Sequence, residues 1–530
     1  MTENKGTGCV KQAAVLMLQG TASDVGKSVL TAALCRIFVQ DGFRTAPFKS
    51  QNMALNSYVT ADGKEIGRAQ GMQAEACGIE ATTDMNPILI KPTHDMHSQI
   101  VVHGRPLANM SAADYRSKYL LTAKATVMEA LGRLRSAYDI VVMEGAGSPA
   151  EINLKDRDIV NMNLAGWADA PVVLVADIDR GGVFAFLVGT LELLEPHERA
   201  RVKGFIINKF RGDLSLLQPG LDWLEERTGI PVLGVLPYIH DLRLEAEDSV
   251  ALEGRSRPAA DRQAGGGIDV AVIRTPRISN FTDFDPLTGE PGVSVRFVSR
   301  SAELGQPDVI LLPGTKNTIG DLEFLKEQGF DAAIAEAMRS GSTQLIGICG
   351  GYQMLGRTLS DPEGLEGRQA AETEGLGYLP LATVFAVDKK TVRVSGRLLP
   401  DCPLRLEGGW DAAAIPVEGY EIHMGRTAVF EDHQGSAHPL FEIRETDGEP
   451  KMEGCGAKNG RIWGTYLHGI FHNDEFRKSW LNAIRAAKGL RTEADTFSAK
   501  ALKEREFDRV AETVRQHVKM NEIYKLLGIG

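Results

Sequence analysis

One cysteine stands in a setting that suits nucleophilic chemistry. The run from Leu345 to Leu355 reads LIGICGGYQML: an apolar strand pattern, a glycine-rich turn that contains Cys349, and an apolar helix pattern. This arrangement is a nucleophile elbow with cysteine in place of serine. Flanking glycines permit the sharp turn, and the amino end of a helix favours the thiolate. The sequence therefore predicts a catalytic Cys349, against the alternative of a buried core cysteine.

A thiol nucleophile needs a proton acceptor and hydrogen-bond donors for the oxyanion. His468, in GTYLHGIF, follows a strand pattern and is the predicted base. Gly314, in VILLPGTKNT, and Gly350, directly after the cysteine, are the predicted oxyanion donors, although Gly314 also fits an ordinary strand-end turn. In GYEIHMG, Glu421 and His423 are further candidates that a half-exposed strand explains almost as well.

A second group of residues predicts phosphate binding. The segment VLMLQGTASDVGKSVL, which begins at Val15, combines a strand, a glycine-bounded loop and a helix start. Backbone N–H groups of such a loop hold phosphate oxygens, while Lys27 would reach the terminal phosphates and Ser28 would bind Mg²⁺. Five residues separate the two glycines, one more than in the common motif, and a turn with a surface lysine is the alternative. The predicted ATP-binding residues are Gly20, Thr21, Asp24, Gly26, Lys27 and Ser28.

Polar residues beyond two other strand patterns extend this predicted site. Glu144 ends the strand pattern of YDIVVMEGAG, where P-loop proteins place an acid that holds Mg²⁺, although such an acid can also cap the next loop. Lys49, Gln51 and Asn52 follow a second strand pattern in PFKSQNM. Ligands of open α/β sheets bind beyond the carboxyl ends of the strands. We expect these three residues to face the substrate and Lys49 to stabilise an acyl phosphate, unless the loop is merely solvated.

The elements that must position these residues predict two α/β domains. Buried strand patterns alternate with helix patterns, such as 28–38 and 119–135, as in a doubly wound parallel sheet. A polar glycine-rich stretch interrupts this order before a new α/β pattern begins at Ile268. Hairpin-like antiparallel patterns appear near 383–398, 417–430 and 453–471. The predicted units are a P-loop domain at 1–250, a linker at 251–267, a second domain at 268–490 and a helical tail at 491–530.

Composition narrows the functional classes. The chain has 530 residues, 43% of them hydrophobic, and a formal net charge of −11, which disfavours general binding to nucleic acid or to a membrane surface. The six cysteines include no CxxC pair, which is typical of a protein of the reducing cytosol. Apolar runs are of strand length, so we expect a soluble cytoplasmic protein with no membrane segment.

The combination of motifs resembles the cobyric acid synthase family, a cobyrinate-type group of class I glutamine amidotransferases. The resemblance runs from Gly20 to about Phe471 and rests on GTASDVGKS, PFKSQNMALNS, LPGTKNT, GICGGYQMLG, GYEIHMGRT and GTYLHGIF together. Its P-loop is similar to that of dethiobiotin synthetase and ParA-like proteins. The resemblance implies a dethiobiotin-synthetase-like parallel sheet followed by a class I glutamine amidotransferase-like α/β domain.

The resemblance also implies a reaction. The family uses ATP, Mg²⁺ and glutamine to amidate the b, d, e and g carboxylates of adenosylcobyrinic acid a,c-diamide in cobalamin biosynthesis. Carried over, Cys349 and His468 would release ammonia from glutamine, and the P-loop domain would form an acyl phosphate. The corrinoid polycarboxylate is a substrate, so no permanently bound cofactor is expected. Other class I enzymes place a glutamate two residues after the histidine, but this chain has Ile470, so the group that orients His468 stays open.

Three alternatives compete with this interpretation. The nearest is cobyrinic acid a,c-diamide synthase, which has the same two parts; the PFKSQNMALNS segment and the chain length favour cobyric acid synthase. A ParA-like regulatory ATPase with an inert glutaminase-like domain is a different class, and the intact elbow and His468 argue against it. The third is an amidotransferase for a cell-wall or nucleotide precursor. The order of amidations, the corrin contacts and the oligomeric state stay open.

Overall fold

The computed structural model describes most of the chain. The described ranges are 12–94, 97–111, 120–245, 267–366, 371–404, 406, 415–430, 437–446, 448–457, 459–494 and 497–529. The predicted first domain boundary near 250 and nearly all of the predicted linker, 251–267, lie outside these residues.

The first half of the chain alternates strands and helices. Its strands are β1 Ala14–Gly20, β2 Thr45–Phe48, β3 Gln51–Met53, β4 Ser57–Val59, β5 Glu65–Gly67, β6 Ile88–His94, β7 His97–Val102, β8 Arg105–Ser111, β9 Ile140–Glu144, β10 Val172–Asp177, β11 Val202–Phe210 and β12 Val232–Pro237. Its helices are α1 Lys27–Gln40, α2 Arg68–Ala76, α3 Leu120–Ala137, α4 Met162–Ala168, α5 Val183–Leu193, α6 Pro196–Arg199 and α7 Leu214–Thr228.

Within the described residues, six of these strands form one parallel sheet in the order β12-β11-β10-β1-β9-β2. Strands β9 and β10 are buried at every position, because helices cover both faces of the sheet. This confirms the predicted doubly wound fold. The carboxyl ends of β1, β2 and β9 carry the phosphate loop, the loop with Lys49, and Glu144. Parallel strands therefore bring three distant sequence segments to one edge.

Two small sheets stand beyond this edge. One has the order β3-β6-β7-β8, and the other is the β4–β5 pair, in which Ser57 is opposite Gly67. Helix α2 begins at the next residue, Arg68. The hairpin therefore leads directly into a helix that packs beside α1 and β2.

The second half is a separate mixed sheet with its own core. Its strands are β13 Ile268–Ile273, β14 Ile278–Ser279, β15 Val293–Val298, β16 Val309–Leu312, β17 Gly314–Thr315, β18 Gln344–Ile348, β19 Thr358–Asp361, β20 Ala371–Glu374, β21 Leu381–Val384, β22 Lys390–Leu398, β23 Pro416–His423, β24 Arg426–Val429, β25 Ala437–Glu445, β26 Lys451–Ala457 and β27 Ile462–Thr465. Its helices are α8 Asp285–Thr288, α9 Thr318–Glu327, α10 Phe330–Arg339, α11 Gly350–Met354 and α12 Asp474–Ala487.

The main sheet of this half has two parts. The described strands follow the order β15-β13-β16-β18-β27-β26-β25-β22-β23, parallel as far as β27 and antiparallel beyond it. Of the three predicted hairpins, only 453–471 contains one, formed by β26 and β27. The hairpins predicted at 383–398 and 417–430 are wrong, because β21 and β24 leave the main sheet and pair with each other in a smaller one. Alternating polarity predicts a strand but not its partner.

The last two helices described pack against the first half of the chain. Helix α13, Ala499–His517, packs along α1, and helix α14, Met520–Leu527, follows it. Phe507 and Val514 of α13 are buried in the core that also contains α1, and Arg36 pairs with Asp508 at 2.8 Å. The predicted tail therefore covers an apolar face of the P-loop half. Among the helices described, none combines the length and apolar character that crossing a lipid bilayer requires.

We expect the α13 contact to stabilise the P-loop half. Phe507 is 1% exposed, so Phe507→Ala should lower the free energy of unfolding by about 3–5 kcal/mol through lost burial and a cavity. Denaturant unfolding, with each transition fitted separately, measures the loss. Leu216→Ala, at an 82% exposed position, is the control and should change little. Equal small losses in both variants would contradict the stabilising role of α13.

Candidate active sites

Cys349 occupies a strained turn between a strand and a helix. Strand β18 ends at Ile348, α11 begins at Gly350, and Cys349 has φ 52° and ψ −107°. A non-glycine residue at such a position costs about 1–3 kcal/mol, which the surrounding contacts must offset. The Cys349 amide donates to the Thr465 carbonyl at 2.8 Å, and a Cβ on Gly351 would lie 2.1 Å from the Leu312 carbonyl oxygen. The predicted elbow is thus held by backbone contacts that require its glycines.

His468 lies beside this cysteine and is fully buried. Its Nδ1 is 2.7 Å from Asp283 Oδ2, and the other oxygen of that carboxylate accepts from the Gly469 amide at 3.0 Å. Burial opposes protonation of the imidazole, but Asp283 and Cys349 outweigh it and raise the pKa of His468 to about 10. The imidazole is therefore set to take and hold a proton at the nitrogen that does not face Asp283.

Asp283 is a site residue that the sequence analysis missed. It stands in the turn Phe281–Phe284, 185 positions from His468 in the chain. Nothing in NFTDFD distinguishes this acid from a turn-forming one. The position two residues after the histidine gave no orienting group, and the structure supplies one from a different element. Asp283 could have been identified only from the three-dimensional contact between its turn and His468, which a single sequence does not show.

The two predicted oxyanion glycines lie next to Cys349 and His468. Gly350 is the first residue of α11, so its N–H has no acceptor within the helix. A Cβ added to Gly350 would lie 3.1 Å from the Thr315 amide nitrogen, and one added to Gly314 would lie 3.1 Å from Cε1 of His468. The β17 turn, the elbow and the imidazole therefore meet around one small space, as the oxyanion prediction requires.

Glu421 and His423, the two further candidates in GYEIHMG, have different partners in the structure. Glu421 is held by Lys390 and Lys451, at 2.5 and 2.7 Å, and His423 stacks on Tyr466 with ring centroids 3.7 Å apart. Burial lowers the pKa of His423 to about 4, so it stays neutral. Tyr420, which the sequence analysis did not single out, stacks on His468 with centroids 5.0 Å apart.

A second centre forms around the buried carboxylate of Glu144. Oε1 accepts from Ser28 Oγ at 2.8 Å and from Lys49 Nζ at 3.0 Å, while Oε2 accepts from Gln73 Nε2 at 2.6 Å. Three residues predicted for the nucleotide site thus meet in one cluster. Gln73, from α2, was not predicted. A serine hydroxyl and a carboxylate are oxygen donors that suit Mg²⁺, so the Ser28–Glu144 pair fits that ion.

Lys27 makes contacts both within the phosphate loop and to a neighbouring loop. Lys27 Nζ donates to the carbonyls of Ala22 and Gly147, at 3.0 and 3.2 Å. Gly26 and Asp24 have positive φ, 98° and 59°, which turn the backbone around the loop.

Neighbouring strands brace the same loop. Thr21 continues the sheet through a 3.0 Å bond from its amide to the Val175 carbonyl, and a Cβ on Gly20 would lie 2.7 Å from Lys27 Nζ. Asn208 and Lys209, both missed by the sequence analysis, donate to the carbonyls of Val25 and Asp24 at 2.8 and 2.6 Å. The end of β11 therefore fixes the outer wall of the phosphate loop.

A cavity of about 1070 Å³ opens at this edge of the sheet. Its walls include the phosphate loop and all three residues predicted to face the substrate, Lys49, Gln51 and Asn52. Asn52 is 2% exposed and donates to Gln70 Oε1 at 2.9 Å, so its amide is oriented by α2. The volume is at the upper end of that of small-molecule sites and is sufficient for a nucleotide with a second ligand.

Comparison with known proteins assigns a different domain family to each half of the chain. The chain matches the CobQ/CobB/MinD/ParA nucleotide binding domain over residues 16–251 and the CobB/CobQ-like glutamine amidotransferase domain over 269–476. It is 53% identical to a cobyric acid synthase of Desulforamulus reducens over 98% of this chain and 99% of the relative. It is 52% identical to that of Geobacillus thermodenitrificans over 97% of this chain and 98% of the relative. The similarity therefore includes both centres.

We expect Asp283→Asn to impair glutamine hydrolysis. Without the carboxylate, the imidazole loses both its orientation and the charge that stabilises its protonated form, so kcat should fall roughly 10²- to 10⁴-fold. A coupled glutamate assay measures the rate. Asp331→Asn, an exposed acid at the start of α10, is the matched control and should keep the rate of the unaltered protein. An Asp283→Asn rate within about threefold of that control would contradict the role of Asp283.

The His468–Asp283 pair makes the free energy of unfolding depend on pH. Because folding raises the pKa of His468 from its ordinary value near 6.5 to about 10, its contribution to the free energy of unfolding is fully present below about pH 6.5. That contribution is lost as pH rises through about 10. Denaturant unfolding across this range should show a steeper loss for the unaltered protein than for Asp283→Asn.

At the other centre, we expect Glu144→Gln to stop ATP-driven chemistry and to spare glutamine hydrolysis. The amide keeps the shape but removes the charge that pairs with Lys49 and suits a cation, so ADP formation should fall roughly 10²-fold or more. Product ADP, followed by chromatography, is the readout. Glu226→Gln makes the same chemical change on an exposed helix position and should leave ADP formation unaltered.

Proposed function

The chain belongs to the cobyric acid synthase family, and from this premise we propose that it converts adenosylcobyrinic acid a,c-diamide to cobyric acid by amidating its b, d, e and g carboxylates. Membership makes it a glutamine-dependent amide-forming ligase with an ATP-binding P-loop domain. The observation that supports the proposal is that one chain contains both a Cys349–His468–Asp283 cluster and a cluster of Ser28 and Lys49 around Glu144, with relatives that match it over nearly its full length.

In the glutaminase half, Cys349 Sγ attacks the side-chain carbonyl carbon of glutamine. His468 takes the thiol proton, and Asp283 stabilises the imidazolium through Nδ1. The oxyanion lies toward the Gly350 amide and the Gly314 turn. The imidazolium then gives its proton to the leaving nitrogen, ammonia departs, and a thioester remains on Cys349. Water hydrolyses the thioester to glutamate and restores the thiol.

In the synthetase half, a carboxylate oxygen of the acid attacks the γ-phosphorus of ATP. ADP leaves, and an acyl phosphate forms. Ammonia from glutamine adds to the acyl carbon and expels inorganic phosphate, which leaves the amide. The loop amides and Lys27 hold the phosphates, and Lys49, at the cavity wall, stabilises charge on the transferred phosphoryl group.

Mg²⁺ fits this centre through the Ser28 hydroxyl and the Glu144 carboxylate, which lie 2.8 Å apart. When bound, the ion supplies charge neutralisation at the phosphates. Lys49 and Gln73 already contact the same carboxylate, so they orient it toward the loop.

The cavity also supports a large amphipathic acid as substrate. Met53 and Leu154, at its wall, are 56% and 39% exposed, so they offer apolar surface to a ligand in the cavity. Arg157 and Arg180, also exposed, lie in the same wall. A corrin ring with carboxylate arms offers an apolar face to the first pair and anionic groups to the second.

The proposal predicts a defined pattern of products. The protein should add four amides to adenosylcobyrinic acid a,c-diamide with ATP and either glutamine or ammonia. Cys349→Ala should add them with ammonia only, with glutamine-driven synthesis reduced by at least roughly 10³-fold, because the nucleophile is lost. Mass spectrometry counts the amides.

Cys402→Ala, at the half-buried cysteine of the same half, is the control and should use both nitrogen donors. Amidation of cobyrinic acid itself, with no reaction of the a,c-diamide, would assign the chain to the a,c-diamide reaction instead. Glutamine hydrolysis without any corrinoid product would remove the corrinoid assignment and keep the glutaminase.

A further inference from the structure

A lysine directly follows the turn that lies beside Cys349. Strand β17 ends at Thr315, and Lys316 is the next residue. Residues before and after it in the chain touch the elbow, since a Cβ on Gly350 would lie 3.1 Å from the Thr315 amide nitrogen and 3.3 Å from Thr318 Oγ1. The side chain of Lys316 therefore starts at the edge of the Cys349 centre.

Lys316 presents an ammonium group that a ligand can reach. Its side chain is half-buried, and no residue in the described ranges forms a hydrogen bond or an ion pair with that group. Burial and the charge of Lys91 lower the pKa of this amine. Glu366, Glu65 and Cys349 act in the opposite direction, so the ammonium lies within electrostatic range of the cysteine. A partly desolvated cation without a partner favours the binding of an anion.

Two further lysines near Lys316 are already paired. Lys91 Nζ lies 2.6 Å from a carboxylate oxygen of Glu65, and Lys389 pairs with the same side chain. One carboxylate thus serves two lysines, so this group has an excess of positive charge before Lys316 is counted. An anion that enters beside Cys349 meets a positive potential there.

Glu366 places a carboxylate near the same ammonium. Its Oε2 accepts from the backbone amides of Thr318 and Ile319, the latter at 3.4 Å, where helix α9 begins. Its Oε1 has no donor among the described residues and can accept from a ligand. Burial raises the pKa of Glu366 to about 7, and Lys316 opposes that rise. A bound cation would favour the ionised carboxylate further.

Glutamine has the complementary pair of charges. Its α-carboxylate is an anion and its α-ammonium is a cation, and only the α-carbon and two methylene groups separate them from the carboxamide that Cys349 attacks. The head group must therefore bind close to the elbow. Lys316 and Glu366 interact electrostatically but form no ion pair with each other in the described structure, so each can take one charge of a zwitterion.

We propose that Lys316 binds the α-carboxylate of glutamine and that Glu366 binds its α-ammonium, so that the two residues select a free amino acid for the Cys349 centre. The inference rests on the proposed function, since it requires glutamine to be the nitrogen donor. It predicts discrimination against carboxamides that lack either charge.

The test uses two analogues that keep the carboxamide of glutamine. One is 4-aminobutanamide, which lacks the α-carboxylate, and the other is glutaramate, which lacks the α-ammonium. With the unaltered protein, kcat/KM for ammonia release should be roughly 10- to 100-fold lower for either analogue than for glutamine, the range that a hydrogen bond between charged groups supports. Equal values for glutamine and 4-aminobutanamide would overturn the proposal without any variant.

Lys316→Met should lose only the discrimination that depends on the carboxylate. Its kcat/KM for glutamine should fall roughly 10- to 100-fold through KM, with kcat within about threefold. Its preference for glutamine over 4-aminobutanamide should fall toward one, while its preference over glutaramate stays. Glu366→Gln should show the reverse pattern, with the preference over glutaramate lost.

Three variants serve as controls. Lys316→Arg keeps the positive charge and should keep most of the preference for glutamine over 4-aminobutanamide. Lys326→Met and Glu327→Gln make the same two chemical changes at the end of α9 and should match the unaltered protein with every substrate. Amide formation with ammonia as the nitrogen donor should be equal in all variants and shows that each is folded.

The pattern separates recognition from a structural role. If Lys316→Met loses activity equally with glutamine and with 4-aminobutanamide, Lys316 only supports the fold and the proposal is wrong. An inactive Lys316→Met combined with a Lys316→Arg variant that does not prefer glutamine would also overturn it. In each of these cases the unaltered protein still hydrolyses glutamine. If the unaltered protein releases no ammonia from glutamine, the proposed glutaminase itself is wrong.

Discussion

The carboxylate of Glu144 is the constraint on which the P-loop half depends. It is fully buried at the end of a central strand, and a buried charge is tolerated only when it is paired and hydrogen-bonded. Lys49, Ser28 and Gln73 meet that requirement from three different segments. The loop after β2, the first turn of α1 and the middle of α2 are thereby tied to one point. The loop after β2 and the first turn of α1 also border the cavity, so the carboxylate holds two segments of its wall in place.

The glutaminase half also contains a buried ionisable group that needs a partner, the imidazole of His468. His468 is buried, and the Asp283 carboxylate keeps its proton affinity high despite the loss of water. Cys349 is held at an unfavourable backbone angle by the sheet on one side and α11 on the other. The strained backbone at Cys349 and the charge at His468 are both maintained by a fully formed core. In each centre, contacts from the surrounding fold offset the free energy cost of a buried charge or a strained backbone.

The two halves are joined by polar contacts more than by a shared apolar core. Glu65 forms ion pairs with Lys91 of the first half and Lys389 of the second. Burial lowers the pKa of Lys389 to about 8 even beside that acid. The apolar cores remain separate, while α13 returns from the second half to complete the first. Polar, partly desolvated interfaces of this kind permit small relative movements more readily than apolar ones.

The sequence alone determined the two α/β halves and the local motifs. Continuous apolar strands, the loop before Lys27 and the glycines around Cys349 are local signals, because backbone geometry and strand burial are specified by neighbouring residues. The motif positions Ser28, Lys49 and Glu144 could be named for the same reason. Their roles as metal and phosphoryl ligands remain predictions.

Only the tertiary structure decided which distant residues complete each centre. Asp283 sits in a turn with no distinctive pattern, and it reaches His468 because β13 and β27 belong to one sheet. Gln73 reaches Glu144 because α2 packs across β2. The wrong hairpins have the same origin, since a strand pattern does not encode its partner. Long-range pairing depends on the whole packed core, so no single segment contains it.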